Sequence, residues 1–268
     1  MVRIESEDFD LRKIMDSGQC FRLTERSPGQ YRLLAGSKVL ELEALPCGAM
    51  LRCSESEYQT RWQDYFDLTT DYTAFRAAVP ARDRYLTAAA EFGRGIRILK
   101  QDPWEMLVTF ILSQRKSIPA IKSSVEALCA LCGEPLSNGL FAFPTPEAVA
   151  ACPESALAGC SFGYRTPYVR AAAELAASGT LNFPALTRLR DRKLHETLQT
   201  VPGVGPKVAN CVMLFGFHRL TGFPRDVWIN RVIDEHYGGK FPLRRYRGFE
   251  GVIQQYLFYY GRSLGLSK

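Results

Sequence analysis

The sequence predicts an α+β fold: a small N-terminal antiparallel β-sheet domain over residues 1–95, followed by a helical domain over residues 96–268. Three observations predict it. Between Gln19 and about Cys53 apolar and polar residues alternate with period two, as strands with one wet face do. From about Asp83 onward the apolar period becomes helical. The composition is 46% apolar and 23% charged, with 21 Gly and 15 Pro spread without a repeat, which excludes a disordered tail, a collagen and a coiled coil. At 268 residues the chain can bury a sizeable core without disulfide staples.

In the strand region Leu40, Leu42 and Ala44 point one way and Glu41 and Glu43 the other, with turn signals at Ser27-Pro28-Gly29 and Gly36-Ser37. The helical part opens with a stretch at 104–114. Next, Ile121, Val125, Leu128, Cys129 and Cys132 fall at i, i+4, i+7, i+8 and i+11, with Gly133 placed as a C-terminal cap. Further helices are predicted at 167–178, 185–199, 206–217, 227–236 and 247–261. Cys129 and Cys132 lie on the apolar stripe and read as core thiols. No second CxxC or His pair completes a metal site, and His195, His218 and His236 are scattered surface or cap residues. Neither a metal nor a cofactor is expected.

The net charge is +6, with −2 in residues 1–95 and +8 in residues 96–268, a surplus compatible with a polyanionic partner. There are eight Cys and no secretory signal, so a disulfide framework is not expected and the thiols should be free in a reducing compartment. No apolar run approaches the ~18 residues of a membrane span.

The segment from Leu198 to Cys211, centred on Val201-Pro202-Gly203-Val204-Gly205-Pro206-Lys207, carries the chemistry. It joins two helices through a tight hairpin. Gly203 and Gly205 permit close backbone approach, and Pro206 suits a first helical turn. The unpaired N–H groups of that helix start then form a site for one phosphate. An ordinary helical corner is the plainer reading of the same residues. Lys207, at a helix N-terminus where an ammonium is disfavoured, is either one more phosphate contact or a nucleophile with a lowered pKa. Asp226, in Phe223-Pro224-Arg225-Asp226, is placed to cap a helix, and a carboxylate held there can also stabilise a cationic sugar.

These residues resemble the helix-hairpin-helix DNA glycosylase superfamily, and Lys207 resembles the lysine of its bifunctional branch. The chain has no Cys after Cys211, so the iron–sulfur cluster of the endonuclease III branch is not implied. Further stretches are similar to the 8-oxoguanine DNA glycosylase family. Ser17-Gly18-Gln19-Cys20-Phe21-Arg22 resembles the turn whose Gly carbonyl accepts a hydrogen bond from N7–H of the lesion. Taken alone it is a tight turn into a strand. Gln101-Asp102-Pro103-Trp104-Glu105 resembles the start of the helix that precedes the DNA-inserting loop. Gly163-Tyr164-Arg165 resembles a loop whose Tyr wedges into the opened stack while its Arg contacts the orphaned base; by itself Tyr164 is a half-buried loop aromatic. Gln254 and Phe258, at i and i+4, resemble the pair that meets the base edge and stacks on its plane; without the resemblance Phe258 is simple core. Cys211, Phe215 and Trp228 line the implied base pocket.

The chain also departs from the family. Arg115 stands in place of the Asn that fills the vacated space, beside Lys116, and Ala120 replaces an Arg that contacts the opposite cytosine. Arg165 alone remains of that set, so strict cytosine preference is not implied. Trp228 replaces a His and Phe215 a Met, both by large residues that can pack or stack. The resemblance implies a helix-hairpin-helix glycosylase core and a bifunctional DNA glycosylase/AP lyase of base-excision repair. Its catalytic residues are Lys207 and Asp226, its substrate-binding residues Gly18, Gln254, Phe258, Cys211, Phe215 and Trp228, and its DNA contacts Tyr164, Arg165, Arg115, Lys116, Gly203 and Gly205. The expected partner is duplex DNA containing 8-oxoguanine, with no membrane and a monomeric protein. A cytoplasmic, nucleoid-associated location is expected in a bacterium, or the nucleus in a eukaryote. A monofunctional alkyl-base glycosylase and a non-enzymatic helix-hairpin-helix module are the alternatives; neither calls for the whole set of Lys207, Asp226, Gly18 and the Gln254/Phe258 pair.

Overall fold

The computed structural model describes residues 1–265. Five strands, β1 Val2–Ile4, β2 Leu23–Ser27, β3 Gln30–Ala35, β4 Lys38–Leu45 and β5 Gly48–Leu51, form an antiparallel sheet in the order β1-β5-β4-β3-β2. Strands β2 to β5 follow one another across the sheet through short turns, and β1 adds to the far edge, with Val2 opposite Leu51 and Ile4 opposite Ala49. Leu40 and Leu42 are buried while Glu41 and Glu43 are half-exposed, as the alternation requires. Ala44 departs from its predicted place. It is exposed, because it sits beside the turn into β5, past the last buried residue of the strand. β1 is too short to show a period, so the sequence contains no sign of it.

Most predicted helices form within a few residues of their expected bounds: Pro103–Leu112, Ile118–Cys132, Thr166–Ala177, Pro206–Phe215, Val227–Tyr237 and Glu250–Ser263. The stretch 185–199 is instead two helices, Phe183–Leu186 and Asp191–Leu198. Arg190 is extended there (φ −68°, ψ 150°) and restarts the chain, so that Leu186 and Leu194 both reach the core. Side-chain caps set several starts. Asp102 Oδ1 accepts from the Glu105 N–H at 2.8 Å, and Ser117 and Asp226 cap the helices after them.

By packing, the described residues group into two compact units. The first holds Met1–Arg32, Leu40–Lys100 and the segment from His218; the second holds Leu33–Val39 and Gln101–Phe217. This grouping differs from a single boundary between residues 95 and 96, because the chain comes back: the helices Val227–Tyr237 and Glu250–Ser263 lie with the earlier segments. In the first unit, Glu250–Ser263 packs on Arg84–Phe92 and on Val227–Tyr237. A buried network lies in the same unit. Asp67 accepts from the Tyr72 hydroxyl at 3.0 Å and the Thr70 hydroxyl at 2.8 Å, and His218 Nε2 stands 3.2 Å from its carboxylate. His218 is therefore half-buried in a network and not the surface or cap residue that the sequence suggests, whereas His195 lies in the last turn of its helix and also bridges two helices as described below.

In the second unit, every residue from Trp104 to Leu112 is buried, which makes Pro103–Leu112 the central helix. It packs against Pro206–Phe215, Ile118–Cys132 and Thr166–Ala177. Cys129 is fully buried in this unit, as its stripe predicts. Cys132, the last residue of its helix, is only half-buried; its Sγ donates to the Leu128 carbonyl at 3.5 Å, and burial, with Cys152 alongside, pushes its thiol up to about 12.

Candidate active site

The predicted hairpin is present. Asp191–Leu198 and Pro206–Phe215 are joined through a turn in which Gly203 takes φ +80°. A side chain there would also be obstructed, since a Cβ on Gly203 would lie 2.5 Å from the Tyr168 ring. Both constraints favour glycine here. Gly205 is the N-cap and Pro206 opens the helix; no side chain caps the start, so its N–H groups are left for another acceptor. The two helices are also pinned by His195, whose ring nitrogens lie 3.0 Å from Gln199 Nε2 and 3.1 Å from Asn210 Nδ2. Sequence reasoning missed this tie, because residues 195 and 210 carry no motif.

Lys207 falls in the first turn, half-buried, with Nζ 5.4 Å from the centre of the Phe110 ring. Cys211 and Phe215 follow at i+4 and i+8 and share its face of the helix, both buried. Phe215 stacks on Phe110 with centroids 5.4 Å apart and planes 18° apart. The amine thus stands at the mouth of an aromatic and thiol-lined helix face.

The residues of the predicted DNA-contacting loops occupy the same unit. Tyr164 is 52% exposed, more than a half-buried loop aromatic, and Arg115 is exposed with φ +52°, an uncommon conformation for a residue with a side chain. Lys116 and Arg165 stand differently. Lys116 Nζ donates to Ser124 Oγ and to the Ser161 carbonyl, both at 2.6 Å. The Lys116 amine is held below the usual lysine range by burial and by the charge of Arg165. Arg165 is only 5% exposed; its Nη1 donates to the Phe162 carbonyl at 3.0 Å, its Nη2 to the Gln114 carbonyl, and its guanidinium covers the Tyr164 ring at 4.2 Å. Two cations that the sequence offers as DNA contacts are thus engaged with the protein backbone.

The first unit carries the other predicted site residues. Gly18, with φ +74°, ends the turn after the helix Leu11–Asp16. Its neighbours clamp it. Ser17 Oγ donates to the Ile14 carbonyl at 2.7 Å, and Gln19, wholly buried, donates to the Arg97 carbonyl at 2.8 Å and accepts from the Leu99 N–H at 2.9 Å. The sequence does not display these bonds of Gln19, since its partners lie about 80 residues away.

Asp226 caps Val227–Tyr237, accepting from the Ile229 N–H at 2.9 Å, so its carboxylate sits at the positive end of that helix. Gln254 is 3% exposed and its Nε2 donates to the Pro224 carbonyl at 3.2 Å, two residues before Asp226. Phe258, one turn later, is half-buried under the Arg262 guanidinium at 5.4 Å. Arg262 in turn donates to the Asp16 carbonyl at 3.1 Å, two residues before Gly18. Glu250–Ser263 therefore links the Gly18 turn to the Asp226 loop. Trp228, half-buried in the first turn after Asp226, lies under Arg231 at 5.6 Å.

Comparisons with known proteins bear on the family and the fold. Residues 1–107 match the family model described as the 8-oxoguanine DNA glycosylase N-terminal domain, and residues 108–243 the HhH-GPD superfamily of base-excision DNA repair proteins. The chain is similar to MBOgg1, solved with a low-affinity DNA ligand, at 34% identity and TM-score 0.91 over 99% of this chain and 100% of that one. It is similar to the Clostridium acetobutylicum 8-oxoguanine glycosylase/lyase, solved with duplex DNA holding cytosine opposite 8-oxoguanine, at 33% identity and TM-score 0.90 over 98% of each chain. The Saccharomyces cerevisiae N-glycosylase/DNA lyase is 27% identical over 267 residues, covering 88% of this chain and 70% of the yeast protein.

Proposed function

Since the chain belongs to the 8-oxoguanine DNA glycosylase family of the HhH-GPD superfamily, we propose that it is a bifunctional glycosylase/AP lyase that flips 8-oxoguanine out of duplex DNA and excises it. The observation that carries this reading is Lys207 in the first turn of the uncapped hairpin helix, with Cys211 and Phe215 on its face. A plain DNA-binding corner could use the amine as a phosphate contact, but the Phe110 ring beside it and the buried Cys211 and Phe215 on its face favour a base pocket.

In this reading the Lys207 amine attacks C1′ of the flipped nucleotide. The N-glycosidic bond breaks and the base leaves with its electron pair, taking up a proton. Asp226 stabilises the positive charge that builds on the sugar; its hydrogen bond to the Ile229 N–H keeps the carboxylate oriented as the bond lengthens. The amine, already bonded to C1′, gives up a proton, the C1′–O4′ bond breaks with O4′ taking up a proton, and a Schiff base to C1′ remains. Loss of a C2′ proton and departure of the 3′ phosphate complete β-elimination and nick the strand. The Gly18 carbonyl is assigned the N7–H of the lesion, a proton that guanine lacks. Ser17 and Gln19 hold the turn rigid, so that meeting guanine's bare N7 would oppose two acceptors with no means of yielding. Gln254 is assigned the base edge, Phe258 its face, and Cys211, Phe215 and Trp228 the wall. Tyr164, Arg115, Gly203 and Gly205 are assigned contacts to the duplex, with Lys116 and Arg165 supporting them from the backbone carbonyls they hold. The protein is assigned to the compartment that holds its DNA.

Borohydride reduction during turnover tests the reading. Wild-type protein should be trapped covalently on duplex DNA containing 8-oxoguanine, and Lys207→Gln should lose trapping while keeping duplex binding. Excision of 3-methyladenine with 8-oxoguanine left intact would move the chain to the alkyl-base class. Binding without any excision would leave a DNA-binding module.

A further inference from the structure

Three backbone segments of the second unit, the turn at 113–117, the loop at 161–168 and the hairpin at 200–206, are tied together by Gln114, to which none of the motifs gives a role. Gln114 Nε2 donates to the Gly203 carbonyl at 3.1 Å and to the Ile111 carbonyl at 3.1 Å. The Gln114 carbonyl accepts from Arg165 Nη2, and Arg165 Nη1 holds the Phe162 carbonyl at 3.0 Å. Gly203 thus has its Cα against the Tyr168 ring and its carbonyl on the Gln114 amide.

A hairpin that receives a phosphate must present N–H groups and turn its carbonyls aside, because a carbonyl oxygen facing a phosphate opposes two acceptors. Within the turn the Val204 N–H is already spent on the Val201 carbonyl at 3.0 Å. The helix after Gly205 has no side-chain cap and keeps its first-turn donors for an outside acceptor. The Gly203 carbonyl is the one hairpin oxygen that a side chain from a distant segment takes up among the bonds described. We propose that Gln114 is a positioning residue of the phosphate-binding hairpin: its amide holds the Gly203 carbonyl away from the phosphate, and through Arg165 it sets the register of the hairpin against the Tyr164 loop. The backbone of the helix that carries Lys207 is thereby placed by a residue 93 positions earlier in the chain. This rests on the reading of the chain as a duplex-acting glycosylase.

The test compares wild type with Gln114→Met, which keeps the length of the side chain and removes its donor, and with Gln114→Glu, which puts an acceptor against the Gly203 carbonyl. Binding to duplex DNA is measured across a salt series, alongside single-turnover excision of 8-oxoguanine and thermal unfolding. The expected result for Gln114→Met is duplex binding about tenfold weaker at each salt concentration with the slope of log binding constant against log salt unchanged, because an N–H contact to phosphate is neutral and releases no counterion. KM should rise about tenfold with kcat changed less than about threefold. Gln114→Glu should bind more weakly still. Weaker binding at an unchanged melting temperature is a readout that loss of packing alone would not give. If Gln114→Met unfolds, Gln114→Asn, which keeps an amide but shortens its reach to the Gly203 carbonyl, gives a second route, with the same direction of change in affinity expected. Folded variants that keep the wild-type affinity and KM while the wild type binds and excises would overturn the inference. A wild type that neither binds duplex with salt dependence nor excises would instead overturn the functional reading on which it rests.

Discussion

Asp226 serves the helix and is assigned to the chemistry through one carboxylate, and the two tasks can be separated at a single atom. Asn caps a helix about as well as Asp but carries no charge. Asp226→Asn should therefore leave the melting temperature within about 2 °C of wild type while single-turnover excision falls roughly a hundredfold. Loss of stability with excision intact would reduce Asp226 to a cap. Asp67 presents a charge buried in a network. Burial alone would raise its pKa, but the hydrogen bond and charge of His218, with the hydroxyls of Thr70 and Tyr72, outweigh it and hold the carboxyl below its usual value of 3.8. A depressed folded-state pKa means that the charge stabilises the fold above the unfolded-state value and that this stability is lost as pH falls through the lower, folded value. Thermal unfolding should show Asp67→Asn less stable near neutrality by on the order of 3 kcal/mol, the cost of breaking a buried pair, with the gap narrowing in acid. An unchanged gap down to pH 2 would assign the loss to packing.

The hairpin is the element on which the site depends, and its glycine is constrained twice. At φ +80° with the Tyr168 ring where a Cβ would go, Gly203→Ala meets both backbone strain and an obstructing ring. The expected cost is about 1–3 kcal/mol of stability, measured by denaturant unfolding, together with weaker duplex binding. Gly203→Ala at wild-type stability and affinity would show that the ring yields freely. The hairpin, its two glycines and Lys207 were legible in the sequence because they are local: turn chemistry and helix starts depend on neighbours within a few positions. The break in 185–199 was not, because Leu186 and Leu194 also fit one continuous helical stripe. Nor was Gln19, whose bonds to Arg97 and Leu99 need a second segment to exist at all.

At the scale of the molecule, the +8 surplus of residues 96–268 predicts duplex binding that weakens steeply with salt. For roughly six neutralised phosphates, affinity for undamaged duplex should drop about a thousandfold between about 50 and 200 mM salt, read by fluorescence anisotropy. A flat dependence would show that the basic surplus lies off the binding surface. Some of that surplus is in fact committed inward, since Arg165 is buried on two carbonyls and Lys116 is bonded to Ser124 and Ser161. By itself the sequence determined the α+β class, most of the helices, the hairpin and the place of Lys207 in the first turn after it, all of which follow from residue type and near-neighbour spacing. Only the tertiary structure decided how those pieces are held: Gln114 on Gly203, Gln19 on Arg97 and Leu99, and His218 beside Asp67. These contacts join residues about 80 to 150 positions apart, and a buried polar group finds its partner only once the chain has packed, when an unmet donor or acceptor would cost about 1–3 kcal/mol.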